Sequence, residues 1–217
     1  MQSIRKTLSV IFIIMLCCLL ASCGESVSYS AAPPTNVTSP SPDDPTQNLF
    51  RFTTSDSENA VYGDNYKGTA IYYKIYTSES NLLSEQKSIV NAGKNNYETG
   101  ISTMTSCGYQ QMNGASFIIP KADYNRNVEI RLFDETTFSA GITAAGTKIT
   151  DPTRNINGNF QFTNAYHPLS GDNDFRGGTQ TSAGPWYVAA FACTVLQPTI
   201  TYQLSPLTYL GYVKIYY

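Results

Sequence analysis

Few side chains in this sequence are spaced to do chemistry, and most of those that are lie between residues 160 and 185. The sole histidine, His167, stands in Tyr166-His167-Pro168. One imidazole can act as a base, but a single histidine excludes an H-E-x-x-H metalloprotease helix and any zinc site built from two histidines. No Gly-x-Ser-x-Gly turn is present to hold an activated serine. Asp172-Asn173-Asp174 offers oxygens to calcium. An EF-hand loop counted from Asp172 needs an oxygen ligand at its fifth position and glutamate at its twelfth, where Arg176 and Ala183 stand. Gly177, Gly178 and Gly184 are followed by no Gly-Lys-Ser/Thr, so they form no phosphate loop. These residues predict neither an enzyme nor a metal or cofactor site.

Long loops carry binding disproportionately. The Gly- and Asp-rich stretch from Ser170 to Pro185 is the strongest loop signal of the chain. Tyr166, His167, Asp172, Asp174 and Arg176 are therefore the candidate binding residues. Tyr62, Tyr66, Tyr97, Tyr109, Tyr124 and Tyr166 lie among Asn, Ser and Gly. That mixture is the chemistry of adaptable binding loops and equally the ordinary decoration of β-proteins.

The elements that must position these residues read mainly as strands. The chain has 16 Tyr and 10 Phe with charged residues at only 14%, against about a quarter in ordinary domains, which favours strand over helix. Leu49–Thr54 alternates. In Thr69–Tyr76, Ile71, Tyr73 and Ile75 share one face and Tyr72, Lys74 and Tyr76 the other. Leu82–Val90 is the one helical stripe, giving a helix over about 81–91 with Asn81 as cap and Gly93 as stop. Phe117–Ile119 and Val128–Leu132 are short strands, and Ile156, Phe160 and Phe162 suggest another. Trp186–Leu196 is apolar on both faces, which places it centrally in its sheet. Leu207–Tyr217 alternates and is expected to be paired, because an apolar edge invites aggregation.

Cys107 and Cys193 either form a disulfide, worth nominally about 4–5 kcal/mol in the chain-entropy model, or remain one buried and one partly exposed thiol. Residues 26–48 carry Pro33, Pro34, Pro40, Pro42 and Pro45 among polar residues, with no hydrophobic period. Such a stretch reads as a tether, reaching at most about 75–80 Å extended and about 25–30 Å on average. The boundary falls near residue 48, leaving 49–217 as one domain with a sizeable core.

The start of the chain is an export signal. Arg5 and Lys6 precede an apolar run from Leu8 to Leu20, then Ala21, Ser22 and Cys23. About 13 apolar residues are too few for the roughly 20 of a spanning helix. Leu20-Ala21-Ser22-Cys23 resembles the lipobox of bacterial lipoproteins, where small residues admit the signal peptidase and the cysteine sulfur carries a diacylglyceryl group. The resemblance implies removal of residues 1–22, a mature chain starting at an acylated Cys23, and a stable membrane anchor once two or more acyl chains are attached. Gly24 in place of an aspartate favours the outer membrane or cell surface. Without residues 1–22 the chain keeps 12 basic and 16 acidic residues, which argues against nucleic-acid capture.

Gly68–Tyr76 resembles the third strand of fibronectin type III domains, and Trp186–Phe191 with Ser205-Pro206-Leu207 resembles their last two. The resemblance implies an immunoglobulin-like or fibronectin type III-like β-sandwich, to which this chain adds one short helix and a long loop insertion. The chain departs from that family in being longer than its about 100 residues. The expectation is a lipid-anchored bacterial envelope lipoprotein. It would be a non-catalytic module presenting loops to a protein or glycan partner or, alternatively, a periplasm-facing structural or assembly lipoprotein.

Overall fold

The computed structural model describes residues 30–135, 137–163, 166–178 and 184–216, and the folded unit begins at Ala31. The expected signal and Cys23 lie outside the described residues, as do positions 164–165 and 179–183 of the expected binding loop. In chain order the strands are β1 (Thr35–Thr38), β2 (Phe50–Thr53), β3 (Tyr66–Tyr76), β4 (Gln110–Gln111), β5 (Ile119–Pro120), β6 (Asn127–Arg131) and β7 (Gly141–Ala144). There follow β8 (Thr147–Thr150), β9 (Thr153–Asn155), β10 (Asn159–Gln161), β11 (Phe175–Arg176), β12 (Trp186–Leu196), β13 (Gln203–Leu204) and β14 (Thr208–Ile215). The helices are α1 (Asp56–Asn59), α2 (Glu79–Asn95) and α3 (Tyr97–Ser106). The fold is mainly β.

Strand β12 is central, as its double-sided apolarity demands. It pairs antiparallel with β3 on one side, from Tyr187↔Tyr76 to Leu196↔Tyr66, and with β14 and β13 on the other. The remaining edge of β3 is filled by three short pieces: β5 at Gly68–Thr69, β4 at Tyr72–Tyr73 and the parallel β11 at Ile75–Tyr76. A second antiparallel sheet has the order β1-β2-β6-β7-β8. Phe50, Phe52, Val128, Ile130 and Ile142 from that sheet bury against Ile71, Tyr73, Ile75, Trp186, Val188 and Val213 in one core. Each fully buried large side chain contributes about 1.5–3 kcal/mol.

The opposite face of β12 needs a cover of its own, and the helices supply it. Leu82, Ile89 and Met104 pack on Tyr76, Ala189 and Phe191. The expected helix is longer than the sequence suggested. Ser78, not Asn81, caps it by accepting the Asn81 amide, and it runs through Gly93 to Asn95. The next helix, α3, was not expected, because Thr, Ser and Gly are weak helix formers. Its Asn96 cap accepts the Glu98 amide at 2.8 Å, and its Gly100 fits against Gly93, where an added Cβ would stand 2.8 Å from the Gly93 Cα. Burial of Met104 and that close approach override its propensity.

Residues 31–48 are part of the folded unit, which corrects the expected boundary at residue 48. Proline-rich chain lacks the N–H groups of a central strand but can lie along a sheet edge, and this stretch lies along β14. Thr208 Oγ1 donates to the Pro34 carbonyl (2.7 Å), and Pro40 covers Gly211, where a Cβ would stand 2.5 Å from the proline Cδ. The buried Asn48 amide replaces a strand partner: it accepts the Lys214 N–H (3.0 Å) and donates to the Lys214 carbonyl (2.7 Å). The start is pinned by buried Asn59, which exchanges two hydrogen bonds with Ala32, and by Thr194 Oγ1 donating to the Ala32 carbonyl.

Cys107 and Cys193 are free thiols, so the disulfide alternative is corrected. Cys193 points from β12 into a small cluster with Ala70 and Val195, and burial pushes its thiol up to about 12. Cys107 follows α3 and packs with the helix-side cluster instead.

The helix crossing gives opposite expectations for its two glycines. Gly100→Ala should lose about 1–3 kcal/mol by forcing the helices apart. Gly93→Ala, whose Cβ would meet the Gly100 Cα at an ordinary 3.7 Å, should be neutral or gain up to about 1 kcal/mol. Urea unfolding of the two variants measures both signs.

Candidate functional site

Residues 166–178 contain β11, which pairs with the end of β3. Polar sequence of this kind has no hydrophobic face to hold it, so its position is set by hydrogen bonds and charge. The centre is Arg154 of β9, fully buried. Its guanidinium grips Asp174 with two bonds, Nε to Oδ2 (2.9 Å) and Nη2 to Oδ1 (2.7 Å). Nη2 also donates to Asp172 Oδ2 (2.7 Å), and Nη1 to the Tyr166 carbonyl (2.6 Å). Bidentate arginine–carboxylate pairs are strong and fix orientation. Tyr73 of β3 completes the knot, donating to Asp174 Oδ2 (2.6 Å) and accepting the Asn155 N–H (2.7 Å). Burial first, and then the Asp174 charge, push the Tyr73 hydroxyl far above its ordinary value. The Leu169 N–H donates to Asp172, and the Ile75 N–H to the Asp174 carbonyl.

The far end of the segment is held by a second cluster. Glu85 of α2 accepts Lys74 Nζ (2.9 Å) and Arg176 Nη1 (2.6 Å). Lys74 also donates to the Cys107 carbonyl. Burial disfavours the Glu85 charge, but hydrogen bonds and charge from Lys74 and Arg176 outweigh it and hold the carboxyl below its ordinary value.

Between these anchors the segment shows its remaining side chains to solvent. Tyr166 is 43% and Leu169 48% exposed, His167 is exposed, and Pro168 is buried. The Tyr166 ring rests on Phe160 of the β9–β10 hairpin, with centroids 4.6 Å apart and planes inclined at 43°. The five expected binding residues thus share one segment but divide in role. Tyr166 and His167 face outward. Asp174 is buried with both oxygens engaged, Asp172 is partly covered against Arg154, and Arg176 bridges to Glu85 while staying half exposed.

This division bears on the chemistry available. The calcium reading of Asp172 and Asp174 meets a guanidinium where the cation would lie. Among the described residues no group of three or more His, Cys, Asp or Glu side chains is placed to hold a metal. Elsewhere, a cleft of about 410 Å³ on the outer face of the second sheet includes Arg51, Glu129, Arg131 and Lys148. Its charges are met locally: Arg51 by Glu129, Lys148 by Asp151, and Arg131 by the Pro45 carbonyl.

Sequence reasoning missed Arg154, Phe160 as the partner of Tyr166, and the Lys74–Glu85 pair. Lys74 had a signal: a lone cation in a strand apolar on both faces demands a buried acid. Arg154 had none, since Thr153-Arg154-Asn155 reads as polar loop. No protein-family model, no curated protein and no solved structure matches this chain.

Removing one partner of a buried ion pair strands the other. Arg154→Met should cost about 3–5 kcal/mol in urea unfolding, and adding Asp174→Asn should recover part of it. The Glu85 cluster has the sign of a depressed carboxyl: its contribution is full above the ordinary value of 4.5 and is lost as pH falls through the lower folded value. The stability difference between wild type and Glu85→Gln should therefore be constant above pH 4.5 and shrink below it, as followed by unfolding at stepped pH.

Proposed function

We propose that this chain is a lipid-anchored bacterial envelope lipoprotein whose folded unit is a non-catalytic binding module, presenting the 166–178 segment to a protein or glycan partner at the outer membrane or cell surface. The observation that carries this reading is the polarity of the β3–β12 pair. Where Leu196 faces Tyr66, the chain enters the fold and is pinned at Ala32 by Thr194 and Asn59. At the other end, where Tyr187 faces Tyr76, β11 brings in the exposed segment. Eleven residues of β12 put about 33 Å between the two ends. An anchor at Cys23 would thus hold one end while the segment faces away.

The rigid seat of that segment supports recognition more than catalysis. A loop fixed in advance loses little entropy on binding, and the carboxylates that could serve as bases are engaged by Arg154 and Tyr73. Within the mainly β class we read the two sheets as an immunoglobulin-like or fibronectin type III-like sandwich. The order β3–β12–β14 supports it, since that family's third strand neighbours its last two in the same way. The other sheet departs: the strand that follows β2 in its order is β6, which comes after β3, the helices, β4 and β5 in the chain, whereas the family puts its second strand beside its first.

The mature protein should carry acyl mass on Cys23, and Cys23→Ser should release it from membranes. Protease applied to intact cells should cut the folded unit; protection until the outer membrane is opened would favour the periplasmic assembly role instead. Tyr166→Ala and His167→Ala should weaken retention on a glycan array or on envelope fractions by about tenfold each, as for contact residues worth over 1 kcal/mol, without lowering the unfolding midpoint. Retention equal to wild type would remove the segment from the site.

A further inference from the structure

The three most exposed large apolar side chains of the described residues lie at the end of the fold where the chain enters. Ile200 is 94% exposed and Val61 81%, with Tyr124 at 60% and Tyr202 at 45%. Their common location follows from three links. The Gln197 N–H donates to the Asn65 carbonyl (2.7 Å), joining the loop that holds Ile200 and Tyr202 to the turn that holds Val61. The Ser57 N–H donates to Asn125 Oδ1 (2.8 Å), and Lys121 Nζ to the Gly63 carbonyl (3.2 Å), which binds the Tyr124 loop to the same turn. Asn59, in that turn, clamps Ala32.

We propose that this end is a lipid-facing surface: Val61, Ile200, Tyr124 and Tyr202 enter the interfacial region of the bilayer to which the chain is anchored. The inference rests on the anchor reading above for the membrane's presence and adds that the fold itself touches it. Chain length argues for a membrane as the occupant. Because residues 31–48 lie along the fold, only residues 24–30 separate Cys23 from Ala31, a reach of at most about 28 Å in any conformation. A tether running to residue 48 would let the domain range up to about 75–80 Å from the anchor; this one keeps Ala31 within about 28 Å of it. The chemistry suits the bilayer interface, where tyrosine is enriched for its apolar ring and polar tip. Lys67 and Lys121 stand at the rim, with Asp64 paired to Lys121 (3.0 Å) and Glu58 bonded to Asn125. With mixed charge at the rim, a zwitterionic surface is enough.

The test places a tryptophan at each end of the fold. The chain from residue 23, carrying Cys107→Ser, is coupled through Cys23 to a maleimide lipid in phosphatidylcholine vesicles whose acyl chains are brominated. Buried Trp186 gives a constant background. Ile200→Trp and Val61→Trp should each lose about half of the added emission, as expected for side chains set 5–10 Å into the interface. Leu169→Trp, on the opposite end, should keep all of it. Equal quenching at both ends, or none at position 200, would overturn the proposal and leave the patch to a protein partner. The chemical anchor makes this result independent of the cell's own acylation, which the mass of the mature chain reports. A failure of the lipoprotein reading and a failure of the lipid-facing surface are thereby told apart.

Discussion

A strand that is apolar on both faces must be covered twice, and the pairing of β3 with β12 imposes that constraint on everything around it. Val188 and Ala190 face one core, while Ala189 and Phe191 face the other. The first cover is a second sheet, whose Phe50, Phe52 and Ile130 close the larger core. The second is the helix pair, whose crossing at Gly93 and Gly100 lets two weak helices lie close together over Phe191. Neither cover is stable by itself. A helix of ordinary surface sequence is marginal in water, and a sheet with one apolar face aggregates unless that face is buried.

The same pair creates edges, which the molecule closes with short irregular pieces rather than long strands. Three two-residue segments share the outer edge of β3. A proline-rich stretch and one asparagine amide share that of β14. Such pieces contribute little apolar area, so charge holds them. Arg154 with Asp172 and Asp174, and Glu85 with Lys74 and Arg176, are the two fastenings of the segment that ends in β11. Buried ion pairs are weak sources of net stability, but removing one partner strands the other, so each of these carboxylates is tied to its cation. Here they give polar chain, with no hydrophobic face of its own, one defined path.

From that arrangement comes the asymmetry on which the functional reading depends. Tyr166, His167 and Leu169 are exposed at one end of the pair, and Val61, Ile200, Tyr124 and Tyr202 at the other, beside the incoming chain. The length of β12 keeps the two apart. The two exposed groups therefore lie at opposite ends of one strand pair, separated by the length of β12.

Features that depend on local pattern are legible in the order of residues alone. Double-sided apolarity in Trp186–Leu196 placed that strand centrally, alternation in Thr69–Tyr76 assigned its two faces, and a stripe in Leu82–Val90 marked a helix. That order also grouped Tyr166, His167, Asp172, Asp174 and Arg176 on one segment. Roles that depend on partners far away in the chain emerge only in the folded molecule. Arg154 turns Asp174 inward across some twenty positions, and Gly93 makes a helix of a Thr-rich stretch. Lys214, near the other terminus, draws Asn48 and the prolines before it onto the fold. A hydrophobic period is written in neighbouring residues and survives any fold. A hydrogen bond from a proline-rich strap to a distant strand edge, or a guanidinium between two aspartates, exists only once the edges and cavities that require it have formed.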